Sequence, residues 1–308
     1  MIRSFHVAIA AFAMVLAAPG FAQRDFDAVE ITSEEVAPGI AVLFGAGGNI
    51  GVSYGEGRTL LIDDQFAPLT EKIEAAVAEL GAQPVHFIVN THWHGDHTGG
   101  NENFGKKGAH IFAHENVRLR MSSEQQRGEQ VTPPSPDDAL PIVTFDRGVT
   151  LHLNGDTIDV AFLNGGHTDG DSIVLWREKN VIHMGDLYFN IPGWPFVDTA
   201  SGGNIESLLF SIDTALTMID DETVVIPGHG PLSNRSELLA YRNILGEALT
   251  RVRALRDVGM TLEEARAERP LDSFERGEGF IDADGFLDAV WTSLENHPGE
   301  QEAEEEIG

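Results

Sequence analysis

Between positions 92 and 97 the chain reads His-Trp-His-Gly-Asp-His, and this segment constrains the fold more than any other. It puts three imidazoles and a carboxylate within six positions. The residues before it, Val85 to Val89, form a short apolar run that predicts a buried strand. The polar segment from Asn90 to Asn103 is then a loop leaving that strand. A helix would scatter the four side chains around its axis, whereas a glycine-rich loop can turn them toward one point. Such a cluster is costly to desolvate unless something binds it. Two histidines two positions apart can share one cation, and the next Asp and His can face a second. The chain has no cysteine. Any cation must therefore be held by imidazole, carboxylate or backbone oxygen, and zinc accepts imidazole and carboxylate when thiolate is absent.

Three more loops repeat the theme. Gly165-Gly166-His167-Thr168 follows a predicted strand over 160–163, Gly185-Asp186 follows one over 181–184, and Gly228-His229-Gly230 follows one over 223–226. Each offers one ligand-capable side chain beside glycines that allow close backbone approach. One such loop carries little weight; four in one chain point to a metal centre. His86, His110, His114, His152, His183 and His297 lack this setting and read as structural. Ser172 and Ser201 lie near the loops, but nothing marks them as activated nucleophiles.

The rest of the pattern supplies a scaffold. Residues 29 to 64 alternate apolar runs with glycine-rich breaks, as antiparallel strands do, and the turn at 45–51 is placed to act as a flap. Pro68 opens a helix to about Leu80, with Ile73, Val77 and Leu80 on one face. A strand over 110–113 precedes a polar helix from about Glu115 to Arg127. The stretch from Thr132 to Pro141 holds four prolines and reads as a loop. Val149 to Leu163 predicts a hairpin turning at Asn154-Gly155, and 173–176 and 181–184 predict further strands. Helices are expected over 204–218, 236–258 and 284–296, and Asp282-Ala-Asp-Gly is a turn. This order suits an α/β protein with mixed sheets covered by helices. No short repeat or clean boundary divides it. Residues 23–297 read as one domain whose part from about 235 is a helical appendage, and 298–308 as a frayed acidic tail.

The first 22 residues differ from the rest. Arg3 is followed by an apolar core from Val7 to Ala18 and the small-residue segment Gly20-Phe21-Ala22, which reads as a secretory leader cleaved after about Ala22. The expected location is the periplasm or the exterior. No later stretch is long and apolar enough to span a bilayer. Removing the leader leaves 19 basic and 49 acidic residues, a net of −30, which argues against nucleic acid and anionic membrane as partners.

With these four segments in this order, the chain resembles the metallo-β-lactamase superfamily. The resemblance extends over about residues 29 to 235. It implies a four-layer αββα sandwich of two mixed β-sheets flanked by helices. Position by position, it implies that His92, His94 and His167 hold a first metal and that Asp96, His97 and His229 hold a second. Asp186 would bridge both, as in glyoxalase II-like members, or bind the second alone. Asp63 resembles the family's acidic residue that orients a ligand, with Asp64 as the alternative. The implied cofactors are two zinc ions, with iron or manganese as alternatives. Two cations lower the pKa of a shared water, so that hydroxide exists near neutral pH to attack a polarised carbonyl. Asp96 would orient that water or receive its proton.

Aromatic residues gather near the motif loops. Phe44, Phe66, Trp93, Phe189, Trp194 and Phe196, with Asn190, are expected to line an apolar cleft for a small-molecule carbonyl substrate. One subclass of zinc β-lactamases has Cys in place of Asp186 and Lys three positions later; here that later position is Phe189. The expected function is an exported dizinc hydrolase, with β-lactam opening as the favoured activity and a lactonase or thioesterase as the alternative. An iron-dependent oxidoreductase or a non-catalytic metal-binding protein ranks lower, because all seven ligand positions fit hydrolysis and Asp96 is intact. The expected state is a monomer or weak oligomer.

Overall fold

The computed structural model describes residues 25–55, 57–127, 130–163 and 165–295. The expected leader, its cleavage point, His297 and the acidic tail lie outside the described residues.

The chain begins with β1 (Thr32–Ala37), β2 (Ile40–Phe44), β3 (Ile50–Ser53) and β4 (Thr59–Ile62), each antiparallel to the next. Helix α1 (Thr70–Glu79) crosses over to β5 (Val85–Val89), which runs parallel to β4. Two short helices follow, α2 (Gly95–Thr98) and α3 (Asn101–Lys106), and then β6 (His110–His114) and α4 (Glu115–Met121). A separate hairpin, β7 (Gln125–Arg127) and β8 (Gln130–Thr132), precedes β9 (Val143–Phe145). The first sheet has seven strands in the order β1-β2-β3-β4-β5-β6-β9.

The second sheet holds six strands in chain order: β10 (Gly148–Leu153), β11 (Asp156–Phe162), β12 (Ser172–Trp176), β13 (Val181–His183), β14 (Val224–Ile226) and β15 (Ser233–Asn234). Asn154 and Gly155 both have positive φ, 53° and 74°, the backbone that a two-residue hairpin turn needs between β10 and β11. Helix α5 (Ile205–Met218) links β13 to the parallel β14; α6 (Arg235–Asp257), α7 (Leu262–Ala267) and α8 (Ala283–Glu295) follow. The side-chain oxygens of Asn204 and Asn234 accept from backbone N–H groups in the first turns of α5 and α6, fixing where those helices start.

Strand alternation sorts the core into layers. Ile40, Val42, Leu60 and Ile62 point toward the second sheet and meet Ile158, Val160, Val174 and Trp176. Their neighbours Ala41, Leu43 and Leu61 point the other way, against Ile73 and Val77 of α1 and Phe104 of α3. On the far side, Ile173, Ile182 and Val225 pack against Leu208 and Ile212 of α5, Leu245 and Val252 of α6 and Val290 of α8. The layers therefore run helix, sheet, sheet, helix, the four-layer α/β sandwich that the sequence resemblance implied.

Three expectations need correction. The segment from Asn90 to Asn103, expected as a loop, turns helical at α2, which carries Asp96 and His97, and again at α3; α2 is a single turn, too short to scatter adjacent side chains around an axis. The helix expected to reach Arg127 stops at Met121. Beyond it, Ser122 and Ser123 both give their hydroxyls to the carbonyl of Leu119, an alternative to another helical turn, and the chain enters the β7–β8 hairpin. The glycine-rich turn after Phe44 is no flap. Gly48 N–H donates to Asp96 O at 3.0 Å, Asn49 N–H donates to Gly228 O at 2.7 Å, and Gln65 Nε2 donates to Gly48 O at 2.7 Å. That turn is pinned beneath the motif loops and joins the two sheets at one edge.

Candidate metal centre

At that edge the C-terminal ends of β4, β5, β13 and β14 deliver Asp63, the 90–97 loop, Asp186 and His229, and the β11–β12 loop delivers His167. Sites in open α/β sheets form at such carboxyl ends. The expected ligands come together in two groups, His92, His94, His167 and Asp186 in one and Asp96, His97 and His229 in the other. Within each group the ligand-capable atoms lie within 4.8 Å of one another.

Asp186 lies between the groups. Its Oδ2 is 3.7 Å from His92 Nε2 and 3.4 Å from His167 Nε2. Its Oδ1 is 3.1 Å from His97 Nε2 and 3.4 Å from His229 Nε2. Asp96 Oδ2 closes the second group at 3.4 Å from His229 Nε2 and 3.9 Å from His97 Nε2.

Hydrogen bonds on the outer side fix which ring nitrogen faces inward. His167 Nδ1 contacts the carbonyl of Phe196 at 2.7 Å. A carbonyl only accepts, so Nδ1 carries the proton and a neutral ring presents a bare Nε2. His94 Nε2 lies 2.9 Å from Asp198 Oδ2, which turns Nδ1 inward. His97 Nδ1 lies 2.7 Å from Asp63 Oδ2. The Thr91 hydroxyl donates its one hydrogen to Asp63 Oδ2, so at 3.1 Å from His92 Nδ1 it can only accept, and His92 Nε2 is left with its lone pair. Four imidazoles are thus oriented by oxygen partners, the arrangement that fixes metal-ligating histidines. Asn in place of Asp63 is expected to weaken metal affinity 10- to 100-fold in a titration against a competing chelator. Unchanged affinity would show that His97 is oriented by something else.

The inward side is polar and poorly satisfied. His92 Nε2 is buried with no hydrogen-bond partner, a lone pair that a bound cation would satisfy. His94 Nδ1 and His167 Nε2 face each other at 2.8 Å, and His97 Nε2 and His229 Nε2 at 3.3 Å. Facing lone pairs at such distances need a proton or a cation between them. Burial holds His92 well below its ordinary pKa and lowers that of His167 to about 4, so both stay neutral and available as ligands. Burial also opposes the ionised form of Asp186, but His97, His229, His92 and His167 together hold its carboxyl well below the usual range. For His97, burial pulls down while Asp186, Asp63 and Asp96 pull up, and the carboxylates win. The donor set, all nitrogen and carboxylate oxygen, fits two cations of the zinc type.

Residues 44–233 match the family model of the metallo-beta-lactamase superfamily, more than half of the 308-residue chain. The chain belongs to that superfamily. It is 29% identical over 184 residues to a probable metallo-hydrolase of Bacillus subtilis, covering 56% of this chain and 83% of that one. It is 30% identical over 146 residues to a hydroxyacylglutathione hydrolase of Haemophilus influenzae, covering 46% and 68% of the two chains. Against a type 2 metallo-beta-lactamase of Bacteroides fragilis the identity is 26% over 151 residues, 49% of this chain and 55% of the other. Among solved structures, a metallo-beta-lactamase from Pontibacter korlensis shares the fold with a TM-score of 0.58 at 20% identity, over 70% of this chain and 99% of that one.

In this superfamily member the candidate metal centre opens into a cleft of about 490 Å³. Phe66, Phe189 and Phe196 line it as expected, joined by Ala46, Ile191 and Phe280. Phe189 stacks on His229 at 5.4 Å between ring centres, and Phe196 on His94 at 5.8 Å. Among the described residues, no Lys or Arg lines the cleft.

Three expected cleft residues are elsewhere, and one is only adjacent. Phe44 shares the parity of Ile40 and Val42 in β2, so it packs between the sheets. Trp194 is 4% exposed and stacks on Phe286 of α8 at 4.5 Å, because its backbone pairs with Ile281 and turns the ring into the helical layer. Asn190 points away, its amide donating to Pro231 O at 3.1 Å. Trp93 lines a neighbouring hollow with Gln125, Thr132 and Ser201, which shares only His94 and Gly95 with the cleft.

Two carboxylates near the centre escaped the sequence reading. Asp171 is buried and accepts from the backbone N–H groups of Gly166, His167 and Thr168 and from the Thr168 hydroxyl, tying the His167 loop into shape. An Asp four positions after His167 in a glycine-rich loop was its available signal. Asp198, which orients His94 and also accepts from Ser201 Oγ at 2.7 Å, has no local signal. Asp64 does not take the orienting role: it accepts from Gly100 N–H at 2.8 Å, and burial raises its carboxyl well above the usual range.

Proposed function

We propose that the chain is an exported hydrolase that holds two zinc ions and opens a carbonyl substrate in the aromatic cleft. The position of Asp186, one carboxylate oxygen toward each ligand group, carries this reading. His92, His94 and His167 would hold the first ion, Asp96, His97 and His229 the second, with Asp186 shared between them. When bound, such ions act as Lewis acids and bring the pKa of water toward neutrality. The chain itself supplies orientation and proton handling. Asp63, Asp198 and the Phe196 carbonyl set the ring positions. Asp96, 30% exposed, lines both the second ligand group and the cleft, so its carboxylate can orient a water or take its proton. Phe189 and Phe196 shield the ligands from bulk water. Export rests on the leader-like first 22 residues.

For substrate, β-lactam opening is the first activity to test, supported by similarity to metallo-beta-lactamases. Thioester hydrolysis is the second, supported by Asp at 186 and by similarity to hydroxyacylglutathione hydrolases. Purified mature protein loaded with zinc should contain two ions per chain and turn over a chromogenic cephalosporin or an acyl-glutathione thioester, with activity lost to a chelator and regained on adding zinc. A protein that takes up no zinc and is indifferent to chelator would overturn the reading.

A further inference from the structure

The family match ends at residue 233, yet a segment some forty residues later reaches back to the cleft. Arg276 ties it down, donating from Nε to Gly193 O at 2.8 Å and from Nη2 to Ile191 O at 3.3 Å. Gly193 N–H donates to Arg276 O and Trp194 N–H to Ile281 O, both at 2.9 Å. Between these anchors Gly279 lies so close to the 192–193 backbone that a Cβ there would meet Pro192 O at 2.1 Å. The next residue is Phe280. It is 79% exposed, lines the cleft, and meets the Phe196 ring edge-on at 6.2 Å. Its tethered backbone thus places an apolar ring at the mouth of the cleft, open to whatever the cleft admits. The titratable groups lining the cleft are His94, Asp96, Asp186 and His229, all of them expected ligands, and none is a cation available to an anionic substituent.

The geometry points to Phe280 as a specificity-determining residue: with Phe196 and Phe66 it forms a wall that receives an uncharged apolar chain attached to the scissile carbonyl. This inference rests on the hydrolase reading for the carbonyl but not for the binding of the chain. Burial of methylene groups against the ring would lower KM for long substrates and leave short ones untouched.

The test compares wild type, Phe280→Ala and Phe280→Leu, all zinc-loaded, on p-nitrophenyl acetate and p-nitrophenyl octanoate. Phe280→Ala should raise KM for the octanoate about tenfold, keep kcat within about twofold, and leave the acetate within about twofold. Phe280→Leu should restore most of the loss. Calorimetry with octanamide, used as a non-reacting ligand, should show binding to wild type that is about tenfold weaker in Phe280→Ala. Zinc content and Tm should not move, since the side chain is exposed. Hydrolysis of neither ester with Phe280-dependent octanamide binding would keep the subsite and leave the hydrolase reading to the zinc, cephalosporin and thioester assays. No octanamide binding, no effect of the substitution, or equal losses on both esters would overturn the proposal.

Discussion

On the proposed dizinc reading, Asp186→Asn is expected to cut bound zinc from two ions per chain to less than one and to lower kcat/KM by about a thousandfold, roughly 4 kcal/mol of transition-state stabilisation. The two side chains have nearly the same shape, so the fold should survive. What changes is charge and donor pattern. Asp186 presents one oxygen to His92 and His167 and the other to His97 and His229. The amide keeps a single acceptor and turns an NH2 group toward the other side. Whichever way it settles, one ligand group faces a donor where a cation should sit, and both groups lose a negative charge. Elemental analysis, circular dichroism and rates on whichever substrate wild type hydrolyses separate these effects. A folded variant that keeps two zinc ions and its full rate would take Asp186 out of the centre.

The ligand loops were legible because their chemistry leaves few alternatives. Imidazoles and carboxylates next to glycines at strand ends have little reason to be there unless they converge, and all seven do. The sheets were legible because alternation and glycine turns report which side of a strand is buried. The cleft was harder, since nearness in sequence to a ligand does not tell which way a ring points. Phe189 and Trp194 share a loop after Asp186, yet one lies on His229 and the other under α8. The difference comes from Ile281, whose pairing with Trp194 bridges 87 positions. Phe280 and Asp198 were missed for the same reason: each acts on residues far away in the chain, Asp198 on His94 and Phe280 on Phe196. The end of α4 was misplaced because two serine hydroxyls compete for a helical carbonyl, a local choice that polar composition hides.

Glycines around the centre should respond very differently to one added methyl group. At Gly228 a Cβ would lie 2.1 Å from Asp186 Oδ1 and 2.6 Å from the carbonyl oxygen of Gly185. The second neighbour is backbone and cannot swing aside. Either the 227–229 turn moves, carrying His229 away from Asp96, or Asp186 leaves its place between the two groups. Gly228→Ala should therefore abolish zinc-dependent activity and leave less than one zinc per chain, with about 1–3 kcal/mol lost from overpacking and a Tm lower by several degrees. Gly95 stands inside the His-Trp-His-Gly-Asp-His motif. Its Cβ would meet nothing within 4 Å, and it sits exposed in the first turn of α2. Gly95→Ala should keep both zinc ions and leave stability unchanged or raised by about 0.5 kcal/mol, because alanine has less backbone freedom to lose on folding. Zinc content and thermal melts of the two variants decide it. If Gly228→Ala keeps its metals while Gly95→Ala loses them, the close packing of the 185 and 228 turns does not shape the centre.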